Sequence, residues 1–264
     1  MSALTLALLA AAAGTAAWAL TRKRAAPLAH ASTTDQASLT TAPTSFQKET
    51  IMTTTITIIG AGNMGKGIAY VAARGGISVS IVDRNADDAR TLAAEVQAAN
   101  PGAAVQAATL DGPLGDVVVF ATWYTAAQDL ARELGERLNG RVVVDISNPL
   151  TADFTALAVA GDTSAAEDLA RLIPNARVVK AFNTTFAGTL VAGQVAGQPL
   201  DVLIAGNDAN AKATVADLVT AGGLRGIDAG PLQRARQLEG LGFLGIQLQF
   251  TQNTNFGSAW KFLA

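Results

Sequence analysis

Thr55-Ile56-Thr57-Ile58-Ile59-Gly60-Ala61-Gly62-Asn63-Met64-Gly65 is the stretch from which the rest of the chain can be read. Its first five residues are β-branched throughout and suit a buried strand. Three glycines come next at the spacing Gly-x-Gly-x-x-Gly. The sequence from Lys66 to Arg74 is helical in pattern, with Ile68 and Val71 available for a sheet-facing side. A second strand, Ile77 to Val82, ends at Asp83-Arg84-Asn85. Strand, glycine turn, helix, strand and acidic residue in this order form the pattern of a dinucleotide-binding βαβ unit.

Each glycine has a separate physical task. Gly60 permits the tight turn, Gly62 lets backbone approach a pyrophosphate, and Gly65 lets the helix lie against the strand. The helix start then offers N–H groups and a partial positive charge to phosphate oxygens. Gly60, Ala61, Gly62, Asn63, Met64 and Gly65 are therefore the expected phosphate-binding residues. Asp83, Arg84 and Asn85 are expected at the adenosine end. Asp83 is placed to accept from a ribose 2′-hydroxyl, which favours NAD. Arg84 suits a 2′-phosphate, which favours NADP. The residue types leave both open.

Working outward, Asp116 to Phe120 and Arg141 to Ile146 read as further buried strands, separated by a helical stretch from Ala126 to Leu138. They end in Ala121-Thr122-Trp123-Tyr124 and Ser147-Asn148-Pro149-Leu150. Residues 151–171 read as loop plus helix, and Arg177 to Thr184 as a strand running into a polar turn. Alternating strands and helices predict an α/β fold, a Rossmann-type doubly wound parallel sheet. Ligands of such sheets bind beyond the carboxyl ends of the strands. Thr122, Trp123, Asn148 and Pro149 are accordingly expected around ribose and nicotinamide.

The organisation predicted is a dinucleotide-binding domain over residues 52–182 and a smaller α/β C-terminal domain over 183–264. In the latter, Asp201–Ala205 and Leu224–Ile227 read as strands flanking a helix from Asp208 to Thr220. A long helix comes after them, with Leu232, Ala235, Leu238, Leu241, Gly245 and Leu248 at helical spacing. Gly240, Gly242 and Gly245 would let another backbone come close, as at a dimer seam. The tail from Gln249 onward, with Phe256 and Trp260, is placed to cap a pocket.

Composition removes several chemistries. The chain has no cysteine, and its single histidine, His30, precedes everything that reads as folded. Thiolate nucleophiles, thiolate metal sites and a histidine general base are excluded, and no metal site is expected. A net charge of −2 gives no general attraction to nucleic acid.

Residues 1–24 form an uncharged Ala/Leu run closed by Arg22-Lys23-Arg24, and 25–51 read as a flexible linker. Residues 2–20 nearly reach the length of a membrane span, with the basic cluster keeping the downstream chain in the cytoplasm. An export signal is a weaker reading, because no positive charge precedes the apolar run. The alternative is a native start at Met52, preceded by Lys48-Glu49, whose codons can spell a ribosome-binding site. From residue 52 onward, 15 basic and 19 acidic residues remain, a balance of −4.

With these motifs assembled, the body resembles the NADPH:coenzyme F420 oxidoreductase family. The resemblance rests on Gly60 to Gly65, Ser147-Asn148-Pro149-Leu150, Lys180-Ala181-Phe182-Asn183-Thr184, and Asp228-Ala229-Gly230-Pro231-Leu232 with its Arg234-Ala235-Arg236 helix. The oxidoreductase domain of six-transmembrane metalloreductases is similar at the same places. The resemblance implies a homodimer, NADP(H) as cofactor, and coenzyme F420 or a flavin bound near Ala181, Phe182, Asn183 and Thr184. It also exposes a departure: family members tend to carry a small hydroxyl residue where this chain has Asp83.

Two cofactors that exchange a hydride carry the chemistry themselves. No protein catalytic acid or base is needed, which suits a body without histidine or cysteine. An imine or β-hydroxyacid reductase is the alternative enzyme, with Lys180 or Tyr124 as proton donor. A dinucleotide-binding sensor or electron-relay module is the alternative outside catalysis.

Overall fold

The computed structural model describes residues 54–159 and 161–263. The leader, the linker and the Met52 start lie outside the described residues. Among the described residues no helix is long and apolar enough to cross a membrane.

The chain alternates β1 (Thr55–Ile59), α1 (Asn63–Arg74), β2 (Ser78–Val82), α2 (Ala86–Ala99), β3 (Val105–Ala107), β4 (Val117–Phe120), α3 (Tyr124–Leu134), β5 (Val142–Asp145), α4 (Ala165–Leu172) and β6 (Arg177–Lys180). α5 (Ala187–Ala192) and a short hairpin of β7 (Gln194–Val195) and β8 (Gln198–Pro199) lead to β9 (Asp201–Gly206), α6 (Ala209–Ala221), β10 (Arg225–Gly230) and α7 (Ala235–Gln252). The main sheet has the order β10-β9-β6-β5-β4-β1-β2-β3. Its first six strands are parallel and lie in the 3-2-1-4-5-6 order of a dinucleotide-binding sheet.

The sheet is buried on both faces because its strands are apolar at successive positions. Ile56, Ile58, Val117 and Val119 join Ile68, Leu92 and Val215 of α1, α2 and α6 on one face. Ile59, Val118 and Phe120 join Leu134 and Leu169 of α3 and α4 on the other. The strand period of two assigns each residue its side.

α2 and β3 go beyond the elements expected from the sequence, although α2 carries a clear start signal. Asn85 caps it by accepting from the Asp87 N–H at 3.1 Å, and Asp87 and Asp88 lie in its first turn. The helix expected to run on to Leu138 stops at Leu134, where Gly135 takes a φ of +46°.

The expected boundary at Asn183 does not divide two bodies. β9 pairs antiparallel with β6, β10 pairs parallel with β9, and Thr50–Ala264 forms one compact unit. Two strands alone make a marginal sheet. Val202 and Ile204 gain burial by extending the existing one instead.

The buried stripe of α7 also differs from the expected leucine pattern. It keeps Ala235, Leu238 and Gly245 of the expected positions and adds Glu239, Gly242 and Gln249, while Leu241 and Leu248 are half-buried. Gly242 packs on Asn148 and Asn183, and Gly245 on Trp260 and Phe186 of the same chain. The space beside those two glycines is therefore filled by the same chain. The buried Asp201 carboxylate ties down the tail, accepting from Arg225, Lys261 and the Phe262 N–H.

Candidate active site

The glycine turn is held by backbone contacts that forbid side chains at two positions. Gly60 has a φ of +118°, and a Cβ there would overlap the Ala121 carbonyl oxygen. A Cβ at Gly65 would overlap the Gly60 carbonyl oxygen. These two positions seat α1 directly over the end of β1. Gly62 is different: its φ is −73°, and a Cβ there would meet nothing within 4 Å. Protein packing does not require glycine at 62, whereas a ligand approaching the backbone does. Gly62 also begins α1 with no side-chain cap, so the first-turn N–H groups have the arrangement that binds anions. The residues present thus fit a dinucleotide pyrophosphate.

At the end of β2, Asp83 Oδ2 accepts from the Ala61 N–H at 2.7 Å and Oδ1 from the Asn85 N–H at 3.0 Å. The carboxylate braces the glycine turn against the β2 end. Asn85 is engaged in capping α2. Arg84 is exposed and makes no ion pair among the described residues.

Beyond the carboxyl ends of β1, β4, β5 and β6 lies a trough of two lobes. One, of about 550 Å³, is lined by Gly62, Thr122, Ser147, Phe154 and Phe250. The other, of about 660 Å³, is lined by Lys66, Asn183, Thr185, Phe186 and Val191. Asn63, Met64, Trp123, Ile146, Asn148, Ile246 and Phe256 border both lobes.

The floor is set by an amide pair. Asn148 Nδ2 donates to the Asn183 carbonyl at 2.9 Å, while Asn183 Nδ2 donates to Asn148 Oδ1 at 2.9 Å and to the Leu238 carbonyl at 2.8 Å. Around it Thr122 Oγ1, Ser147 Oγ and Asn183 Oδ1 are buried without hydrogen-bond partners. Buried polar atoms are normally paired. Three unpaired ones on trough residues fit a polar ligand.

Three of the four expected second-ligand residues are placed otherwise than the motif suggested, while Asn183 lines the trough. Ala181 and Phe182 are 0% and 1% exposed and belong to the core. Thr184 is buried and does not line the trough, and Pro149 is buried too. Phe182 takes a φ of +63°, which turns the chain so that the expected Asn183 lines the lobe together with Thr185 and Phe186.

Neither expected proton donor lines the trough. Lys180 is fully buried and pairs with Asp145 at 2.7 Å and Glu239 at 2.8 Å, as well as the Ser147 carbonyl. Burial alone would lower its pKa, and the two carboxylates outweigh that and raise it. Tyr124 donates to Asp168 at 2.6 Å, and burial together with that carboxylate pushes its pKa up to about 12. Lys66, which does line the trough, pairs with Glu95 at 2.6 Å.

Sequence reasoning missed Phe154, Phe186, Ile246 and Phe250 as wall residues. They come from a loop, a helix start and α7, with no shared motif to link them. Phe256 fulfils the expectation of a tail residue at a pocket.

Residues 55–149 match the family model described as NADP oxidoreductase, coenzyme F420-dependent. The chain is 30% identical to a crystal structure from Arthrobacter sp. FB24 assigned as an F420-dependent NADP reductase, covering all of that chain and 80% of this one, with a TM-score of 0.69. The chain belongs to the coenzyme F420-dependent NADP oxidoreductase family. It is also 31% identical over 145 residues to the F420-dependent NADP reductase of Methanocaldococcus jannaschii, covering 52% of this chain and 64% of that one. Identity to the rat metalloreductase STEAP3 is 32% over 184 residues, 70% of this chain and 35% of that one. The chain thus spans just under two thirds of the archaeal relative and about a third of the rat protein. Family membership agrees with the 3-2-1-4-5-6 strand order and with the glycine turn at the start of the matched segment.

Proposed function

We propose that this protein binds NADP(H) in the glycine turn and exchanges a hydride with a planar ring acceptor, coenzyme F420 or a flavin, in the same trough. The observation that carries this reading is the continuity of the two lobes across Asn63, Met64, Trp123 and Asn148. Two flat rings held in one trough meet the positional requirement of hydride transfer, in which reacting atoms approach to about 3–3.5 Å. The reduced dinucleotide supplies two electrons and one proton as a hydride from its nicotinamide carbon C4 to the acceptor ring, and solvent provides the second proton.

The chain's own residues bind and orient. Gly62 and the first turn of α1 hold pyrophosphate. The Asn148–Asn183 pair offers fixed polar groups at the junction of the lobes, and the aromatic wall limits access of water. A carbonyl or imine reductase needs a proton donor at the reacting atom, and Tyr124 and Lys180 are both directed elsewhere. The resemblance adds a homodimer to the proposal.

The test is oxidation of NADPH and NADH by the full chain with coenzyme F420, FMN, FAD or riboflavin, against a blank without acceptor. Turnover with any of these rings supports the reading. Tight dinucleotide binding without turnover on all of them overturns it in favour of a sensor or a carbonyl substrate.

Cofactor choice has its own test. Arg84→Ala should weaken NADPH about tenfold or more and leave NADH unchanged, since a charge-assisted hydrogen bond contributes about 1.5–3 kcal/mol. Asp83→Ser should raise the ratio of NADPH to NADH affinity while weakening both, because the Ala61 N–H loses its acceptor. Dinucleotide fluorescence titration reads both, and unchanged ratios would refute the assignment.

A further inference from the structure

Aromatic rings recur along the walls of both lobes of the trough. Trp123 and Phe154 meet edge to face with centroids 6.2 Å apart. Elsewhere in the lining, Phe256 meets Phe186 at 5.3 Å and Phe250 at 5.9 Å, again edge to face. Trp123 and Phe250 remain 67% and 62% exposed, an unusual amount of aromatic surface to leave in water.

Two of these residues hold strained backbone. Phe154 and Phe256 have φ of +59° and +58°, in the left-handed region that side chains other than those of Gly, Asn and Asp rarely adopt. Strain of this kind persists where surrounding structure imposes it, and it collects at ligand-binding sites. Here it turns two rings into the trough from separate loops.

Away from the anion-binding start of α1, the side-chain charges around the trough do not favour an anion. Lys66 is the one lysine or arginine lining either lobe among the described residues, and Glu95 pairs with it. Beneath the floor, the Lys180 ammonium faces two carboxylates, Asp145 and Glu239. Beside Phe154 in the chain, Asp153 accepts from the Thr151 and Thr155 hydroxyls, which hold its carboxyl below the usual range. A carboxylate thus stands next in the chain to a wall residue, and the lining itself offers no unpaired basic side chain to a phosphate or carboxylate tail.

We infer that the second ligand is a flat, uncharged heteroaromatic ring without an anionic tail, a riboflavin-like or tail-free deazaflavin ring. The aromatic walls supply stacking and edge contacts, and the Asn148–Asn183 amide pair on the floor offers polar groups to the edge of the ring. This inference rests on the hydride-transfer reading and narrows its acceptor. The electron and proton balance is that of the proposed reaction.

The experiment compares kcat/KM of the full chain with NADPH for riboflavin against FMN, and for the tail-free deazaflavin against coenzyme F420, at low and high salt. Riboflavin binding without dinucleotide is read separately by fluorescence quenching. The tail-free ring of each pair should be favoured about tenfold or more at low salt. The gap should narrow at high salt, as screening removes the repulsion. Asp153→Asn, outside the trough lining, should narrow it as well. Phe250→Lys, which adds a cation at the mouth, should shift the preference toward FMN.

Equal or better turnover of the tailed ring, with no effect of salt, overturns the inference and leaves hydride transfer standing. Dinucleotide binding without reduction of any ring overturns the hydride-transfer reading and the inference with it.

Discussion

Gly62→Ala should lose dinucleotide binding while its melting temperature stays that of the parent. The substituted residue would sit at φ −73°, which alanine adopts freely, and its methyl would meet no protein atom within 4 Å. The methyl instead occupies the space through which a pyrophosphate reaches the first-turn N–H groups. Loss of one or two charge-assisted hydrogen bonds, each contributing about 1.5–3 kcal/mol, corresponds to a rise in Kd of about 10- to 1,000-fold or more at about 1.4 kcal/mol per decade. Gly65→Ala is the contrasting case. Its methyl overlaps the Gly60 carbonyl oxygen, so α1 must move off β1 and stability falls together with binding. Fluorescence titration and thermal unfolding of both variants separate the two roles. A Gly62→Ala protein that binds NADPH and NADH as the parent does would disprove the assignment of the glycine turn.

Lys180→Met carries the largest expected cost to stability. The side chain is fully buried, and its removal leaves Asp145 and Glu239 together in the core without their cation. Breaking a buried pair in this way costs about 3–5 kcal/mol. The site should suffer with it, because Lys180 also binds the Ser147 carbonyl and so holds the turn that presents Asn148.

The pH dependence has a definite sign. Burial raises the Glu239 pKa, the Asp145 charge adds to this, and Lys180 opposes it. A raised folded-state pKa contributes stability that is full below the unfolded value and is lost as pH rises through the folded value. Without the Lys180 cation the Glu239 pKa rises further, so the variant should lose more stability than the parent as pH rises above the ordinary glutamate value. Unfolding midpoints across that range measure the difference. A constant gap would show that the cluster does not titrate as a unit.

The dinucleotide half of the molecule is readable because its signals are local. Gly60 answers to the adjacent strand end and Gly65 to Gly60, Gly62 is left to the ligand by the same short motif, and β-branched runs mark the strands between. Thr122, Trp123 and Asn148 come from one rule, that ligands bind beyond the carboxyl ends of parallel strands. Asp83 is legible as the acidic residue closing β2, expected at the adenosine end, and its carboxylate also braces the Ala61 and Asn85 N–H groups. That brace depends on the direction of a side chain, which residue spacing does not encode.

The acceptor half is less legible, for a physical reason. Lys180 to Thr184 has the look of a binding segment, yet Ala181 and Phe182 point into the core because β6 gains β9 as a neighbour and is covered on both faces. Phe154, Phe186, Phe250 and Phe256 reach the trough from segments up to about a hundred residues apart in the chain. The sequence alone therefore determined the fold class, the glycine turn and the absence of thiol chemistry, since each rests on residue type or short-range periodicity. Tertiary packing decided the single eight-stranded sheet, the buried Lys180 cluster and the aromatic wall. Their energies come from contacts between distant segments, which exist only once the chain has closed on itself.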